Sequence, residues 1–245
     1  MFIYEINPPK IPAGASESSS EIKLSVEKLV NRVSEIESSC NGIHITDSVL
    51  GTKRVSPLTV GKILKTKFPH MQITVSLRVR DRDMDSLRHI VADTISVGID
   101  GILVLKGDPG QNGYDSGLFP SGVVDTLKAE FKANFFLSLP SNPNFEKIQK
   151  KILASPVGFM TQVIHSVEQA KRIADNLRPQ GFRIVPCVLL PSEKNSSSAN
   201  FLGLDWSEYK EDPAEFIRKV HHVAGDVLIT SPNDFAFARD VMATV

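Results

Sequence analysis

Eight short apolar runs, each followed by a stretch of helical spacing, constrain this chain more than any other feature. The first is Phe2-Ile3-Tyr4-Glu5-Ile6, stopped by Asn7-Pro8-Pro9. Gly42 to Thr46, Ile73 to Val79, Ile102 to Leu105, Phe135 to Leu139, Phe159 to Gln162, Ile184 to Leu189 and Val227 to Thr230 follow. Continuous apolar strands alternating with helices belong to a parallel sheet covered on both faces. Eight such units in 245 residues match the ~250 residues usual for a closed barrel. The expected architecture is therefore α/β, a single (β/α)8 TIM barrel spanning residues 1–245. In that fold, the residues at the C-terminal ends of the strands carry the chemistry.

Between the runs, apolar residues recur at helical spacing. Ile22, Val26, Leu29, Val30, Val33 and Ile36 form one stripe, and Leu87, Ile90, Val91, Ile95 and Val97 a second that ends at Gly98. Later helices are expected over Leu118 to Ala133, Phe145 to Leu153, Val167 to Leu177, Pro213 to Ala224 and Asp234 to Met242. The second helix, Val55 to Thr66, is short. The segment Pro191 to Tyr209 after the seventh strand is polar and irregular, and it belongs to the face that carries the active site.

Composition narrows the function classes. Twenty-eight basic residues balance 28 acidic ones, and no basic stripe is present, which argues against nucleic acid as a partner. Lys150-Lys151 and His221-His222 are read as solvated helix faces. Two distant cysteines, Cys40 and Cys187, suit a reducing compartment, with Cys187 a small buried apolar residue. No signal peptide and no membrane-length apolar run is evident, so a soluble cytoplasmic protein is expected. The histidines lack metal-ligand spacing, and His44 is read as a hydrogen-bonded core residue. A phosphate loop, a dinucleotide fingerprint and a nucleophile elbow are all missing.

The polar residues at strand ends are few. Glu5 shares a strand face with Ile3, away from Phe2, Tyr4 and Ile6. A strand packed on both sides leaves that carboxylate partly desolvated, and burial without a partner raises its pKa. A salt bridge at the barrel bottom would also explain it, but its place near the strand's C-terminal end favours function. Asp108 leaves the fourth strand in Lys106-Gly107-Asp108-Pro109-Gly110, a sequence that forms a tight turn by itself. Gln162 ends the sixth strand, where its amide could read the edge of a heterocycle.

Taken together, these segments resemble the methylenetetrahydrofolate reductase family, the short bacterial and acetogen type. Tyr4-Glu5-Ile6-Asn7-Pro8-Pro9-Lys10 resembles that family's Glu-x-x-Pro-Pro-Lys opening. Thr46-Asp47-Ser48-Val49-Leu50-Gly51 with Arg54, Arg78-Val79-Arg80-Asp81-Arg82-Asp83, and Leu105-Lys106-Gly107-Asp108-Pro109 are similar to its next three strand ends. Asn142-Pro143 with Lys150-Lys151, then Phe159-Met160-Thr161-Gln162, resemble the fifth and sixth. The resemblance implies flavin-dependent reduction of 5,10-methylenetetrahydrofolate, or a related pterin, to the 5-methyl form. FAD would be the cofactor, with FMN as the alternative, and NAD(P)H or a partner protein the electron donor. Glu5 would be the general acid, Asp108 would serve both flavin and pterin, and Gln162 would bind the pterin. Thr46, Arg80, Gly107, Asn142 and Lys151 would contact the flavin. A homo-oligomer is compatible with this reading.

The chain departs from the family pattern in three places. Ser76-Leu77-Arg78 stands where many relatives have His-Leu-Thr, and Val163-Ile164-His165 stands where a Pro-aromatic pair usually follows Thr-Gln. Ser192 to Asn200 replaces a longer segment after the seventh strand, which leaves the electron donor open. Two other classes compete: a pterin-binding methyltransferase barrel without flavin, and a non-catalytic barrel subunit of a one-carbon complex.

Overall fold

A computed structural model describes residues 1–109 and 114–245 of the chain; Gly110, the last residue of the turn expected after the fourth apolar run, lies outside them. Eight parallel strands close into a barrel in sequential order. They are β1 (Phe2–Ile6), β2 (Gly42–Ile45), β3 (Gln72–Arg78), β4 (Gly101–Leu105), β5 (Phe135–Leu139), β6 (Gly158–Val163), β7 (Arg183–Leu189) and β8 (Val227–Thr230). Strand β8 pairs with β1 through Phe2↔Val227, Ile3↔Leu228 and Tyr4↔Ile229, which closes the ring. All eight expected strands form, with β2 and β3 each ending one residue early, at Ile45 and Arg78.

The helices are α1 (Ser20–Ile36), α2 (Pro57–Lys67), α3 (Met84–Ser96), α4 (Pro120–Glu130), α5 (Gln149–Leu153), α6 (Val167–Leu177), α7 (Ser196–Leu202), α8 (Pro213–Ala224) and α9 (Phe235–Met242). Local chemistry sets their starts. Ser19, Asp83, Ser166, Asp212 and Asp234 each accept a backbone N–H of the first turn, satisfying donors that have no intrahelical partner. Pro57, Pro120 and Pro213 occupy first-turn positions, where a missing N–H costs nothing.

Proline also corrects an expected boundary. The fourth helix starts at Pro120, not Leu118, and stops at Glu130, not Ala133. Helix α5 is one short turn beginning at Gln149, because Asn144 Oδ1 takes the N–H groups of Glu146 and Lys147 in a turn of its own. The α1 stripe is buried as expected. On α3 the buried set is Leu87, Val91 and Thr94, while Ile95 is exposed. The irregular segment after β7 holds a 3-10 turn and α7.

Two hydrophobic clusters result. The larger fills the layer between strands and helices. The smaller lies inside the barrel, formed by Ile3, Leu103, Phe136, Met160, Val185, Cys187 and Leu228. Strand alternation then turns the next inward positions of β1, β2 and β3 over to Glu5, His44 and Ser76, so the lumen becomes polar toward its C-terminal end. Burial of uncharged apolar groups fills one half of the lumen, and hydrogen-bonded polar groups fill the other.

Two surface expectations need correction. Lys151 is half-buried, with its ammonium group donating to the Ser138 carbonyl oxygen. His221 stacks on Phe2, with ring centroids 4.5 Å apart. Lys150 and His222 are exposed as expected. Among the described residues, no helix is long and apolar enough to cross a membrane.

Candidate functional site

The polar lumen is built around Glu5 and His44, which are register partners on β1 and β2. His44 is 1% exposed and holds both ring nitrogens in hydrogen bonds. Nδ1 lies 2.8 Å from Thr74 Oγ1 and Nε2 lies 2.9 Å from Ser76 Oγ. Burial pushes its pKa down to about 4, so the ring is neutral and donates from only one nitrogen. The expected core histidine is what the structure contains.

Glu5 is different. Thr230, the last residue of β8, donates its hydroxyl to Glu5 Oε1 at 2.7 Å. Burial raises the Glu5 pKa, and the Thr230 hydrogen bond opposes that rise. No cation balances the carboxylate among the described residues, so the salt bridge considered from sequence is not there. The side chain still retains some exposed surface. A carboxyl group walled by protein, lacking a countercharge and reachable from outside, is suited to hold a proton and release it to a ligand.

The loops after β1 and β2 are locked together. Thr46 Oγ1 donates to Asn7 Oδ1 at 2.7 Å, and Arg54 donates to the Pro8 carbonyl oxygen at 2.7 Å. Lys10 and Arg54 form an antiparallel bridge between the same two segments. Outside the β1–β8 seam, a cavity of about 350 Å³ lies between the barrel wall and helices α1 and α9, walled by Tyr4, Glu5, Arg32, Val33, Ser231 and Phe235, among others.

Asp108 stands exposed beyond β4, with Oδ2 accepting the Leu50 N–H at 3.0 Å. Gln162 is also exposed, for a reason absent from the pattern of apolar residues. The β6–β7 register shifts between Met160 and Val163. Thr161 takes over the ladder there: its hydroxyl accepts the Cys187 N–H at 3.1 Å and donates to the Gln162 carbonyl at 2.6 Å. A bulge of this kind re-aims the next side chain. Glu5, Asp108 and Gln162 thus occupy the C-terminal ends of β1, β4 and β6.

The residues expected to hold a flavin occupy the ends of β2 to β5, on one continuous arc of the rim. Thr46 is buried against Asn7, and Lys151 lies beside the end of β5, its pKa lowered by burial. Gly107 adopts a φ of +82°, which brings its backbone against Arg78. Besides Thr46 and Lys151, two more members are already engaged within the protein. Arg80 donates to the Gly107 carbonyl at 2.9 Å and to Asp115 Oδ2 at 2.8 Å, while Asn142 Oδ1 is held by Arg172. The arc offers donors and a cation, which fit a polar planar group with an anionic tail, while the space at Gly107 is taken by Arg78; Arg80 and Asn142 would exchange partners to join it.

Sequence reasoning missed Thr230 and Asp115. Thr230 was identifiable by the same strand-end rule that picked Glu5. Asp115 holds both Arg80 and Lys106, and nothing in its neighbourhood along the chain marks it. Among the described residues, no group of three or more His, Cys, Asp or Glu could hold a metal ion. Neither a protein-family model nor a characterised protein matches this chain.

Proposed function

We propose that the chain is a flavin-dependent reductase that converts a methylene-bridged folate, or a related pterin, to its 5-methyl form. One observation carries the proposal: Glu5, half-buried at the mouth of the barrel, with its pKa raised by burial and, among the described residues, the Thr230 hydroxyl as its one side-chain partner. Opening a methylene bridge to an iminium requires a proton on the nitrogen that leaves the methylene carbon. Glu5 supplies that proton from its carboxyl group, and its raised pKa keeps the proton available. A bound flavin would supply hydride, received from NAD(P)H or a partner protein. Thr46, Gly107, Asp108 and Lys151 would hold it, with Arg80 and Asn142 after their exchange. Gln162 would present paired donor and acceptor groups to the pterin edge. Asp108 would place a negative charge beside the cationic iminium.

Calorimetry of the purified protein with FAD and with FMN tests the reading directly. Uptake of either at micromolar concentration, followed by bleaching with an electron donor, supports it. Failure of both removes the flavin. The internal engagement of Arg80 and Asn142 favours a second reading, a pterin-binding methyltransferase barrel. That protein would bind the pterin with no flavin and transfer no hydride.

A further inference from the structure

Arg78 is the last residue of β3 and is 2% exposed, an arginine inside a barrel wall. Its guanidinium spans two loops. One terminal nitrogen donates to the Ser48 carbonyl at 3.0 Å, and the other donates to the Asp108 carbonyl at 2.8 Å. The planar fork of arginine suits such a double contact, which a lysine ammonium cannot reproduce in fixed geometry. Gly107 is shaped to it: a Cβ there would lie 2.6 Å from Arg78 Nε. A second link closes a ring, because the Leu50 N–H donates to Asp108 Oδ2. Ser48 and Leu50 both take left-handed backbone conformations, with φ of 45° and 56°. Residues with side chains hold such conformations only where the surroundings impose them.

We propose that Arg78 is the positioning residue for Asp108. Its fork ties the turn after β4 to the left-handed loop after β2, and the closed ring fixes the Asp108 carboxylate. The charges facing it are Asp81, whose carboxylate is 3.5 Å from the guanidinium, and Asp47, which accepts the Arg78 N–H and pairs with Arg82. The consequence for the cofactor rests on the proposed function, in which the Asp108 carboxylate lies near a flavin. The ring itself does not depend on that reading.

The test uses the full chain in two arms. In the first, without flavin, amide exchange of Leu50 is compared in the native protein, Arg78→Lys and Arg78→Met. Both variants are expected to exchange Leu50 at least tenfold faster while melting cooperatively. Native exchange in a folded variant overturns the proposal. Arg78→Lys keeps the charge and serves if Arg78→Met does not fold. In the second arm, FAD is bound and its reduction potential is measured. Asp108→Asn, which removes a negative charge beside the flavin, is expected to raise the potential; Arg78→Lys is expected to raise it likewise and to add nothing in the Asp108→Asn background. A lowered potential, or a shift that persists in that background, overturns the proposal, because the arginine would then act on the flavin by a route other than Asp108. Absence of flavin binding defeats the reductase reading and leaves the first arm to decide the ring.

Discussion

Thr230 donates its hydroxyl to Glu5 Oε1 at 2.7 Å across the seam where β8 meets β1. The donor stabilises the charged carboxylate, whereas the surrounding protein destabilises it. The acidity of Glu5 is set by these two opposed effects, and burial is the larger.

Glu5→Gln keeps the shape of the side chain and its capacity for hydrogen bonding, but it has no proton to transfer. Under the proposed reaction, reduction of the flavin by its donor survives in this variant. Reoxidation by the methylene-folate falls by ~10²–10⁴-fold, the range typical of a general acid. Anaerobic stopped-flow absorbance separates the two steps. Reoxidation at the native rate would make Glu5 a structural acid.

Thr230→Val removes the one hydrogen bond that favours ionised Glu5. The Glu5 pKa is expected to rise further, so the alkaline limb of the folate half-reaction moves to higher pH. A limb that stays in place would show that Thr230 does not tune the acid. An infrared titration of the Glu5 carbonyl stretch reads the same shift without turnover.

The buried acid and the buried histidine give opposite dependences of stability on pH. The folded-state pKa of Glu5 lies above its ordinary 4.5, so its contribution is fully present below that value and is lost as pH rises through the folded pKa. Glu5→Gln should therefore melt higher than the native protein near pH 8, with the gap closing toward pH 4. His44 falls from 6.5 to about 4, so its contribution is present above 6.5 and is lost as pH falls toward 4. One proton corresponds to ~1.4 kcal/mol per pH unit in that window. Measured in the Glu5→Gln background, His44→Gln should flatten this slope. An unchanged slope would mean that His44 is not the group titrating.

Gly42 lies where β2 meets β3, and an added Cβ would sit 2.7 Å from the Gln72 carbonyl oxygen. That oxygen belongs to the neighbouring strand and has no freedom to swing aside. Gly42→Ala should cost about 1–3 kcal/mol, the usual range for overpacking. A urea midpoint equal to that of the native protein would show that the strands can spread there.

The barrel was legible because its strands are buried on both faces, so their apolar runs are continuous and countable. Helix ends were less legible where a side chain diverts the backbone, as Asn144 does before α5. Glu5 could be read as buried because its neighbours along the strand are apolar. Its pairing with Thr230 could not be read, since Thr230 is 225 positions away and meets it only through closure of the ring. The exposure of Gln162 depends on a shift between β6 and β7, a relation between two strands that the pattern of either one alone does not contain.

Closure of β8 on β1 also orders events in time. Glu5 belongs to β1, which is synthesised before the other strands of the barrel, while the hydroxyl that completes its surroundings belongs to β8, synthesised after them. On a growing chain, Glu5 is an ordinary solvated carboxylate with ordinary acidity. Its unusual proton affinity appears only when the eighth strand docks. A barrel that has not yet closed therefore holds every strand end of the arc from β2 to β5 without the buried carboxyl group of Glu5 beside them.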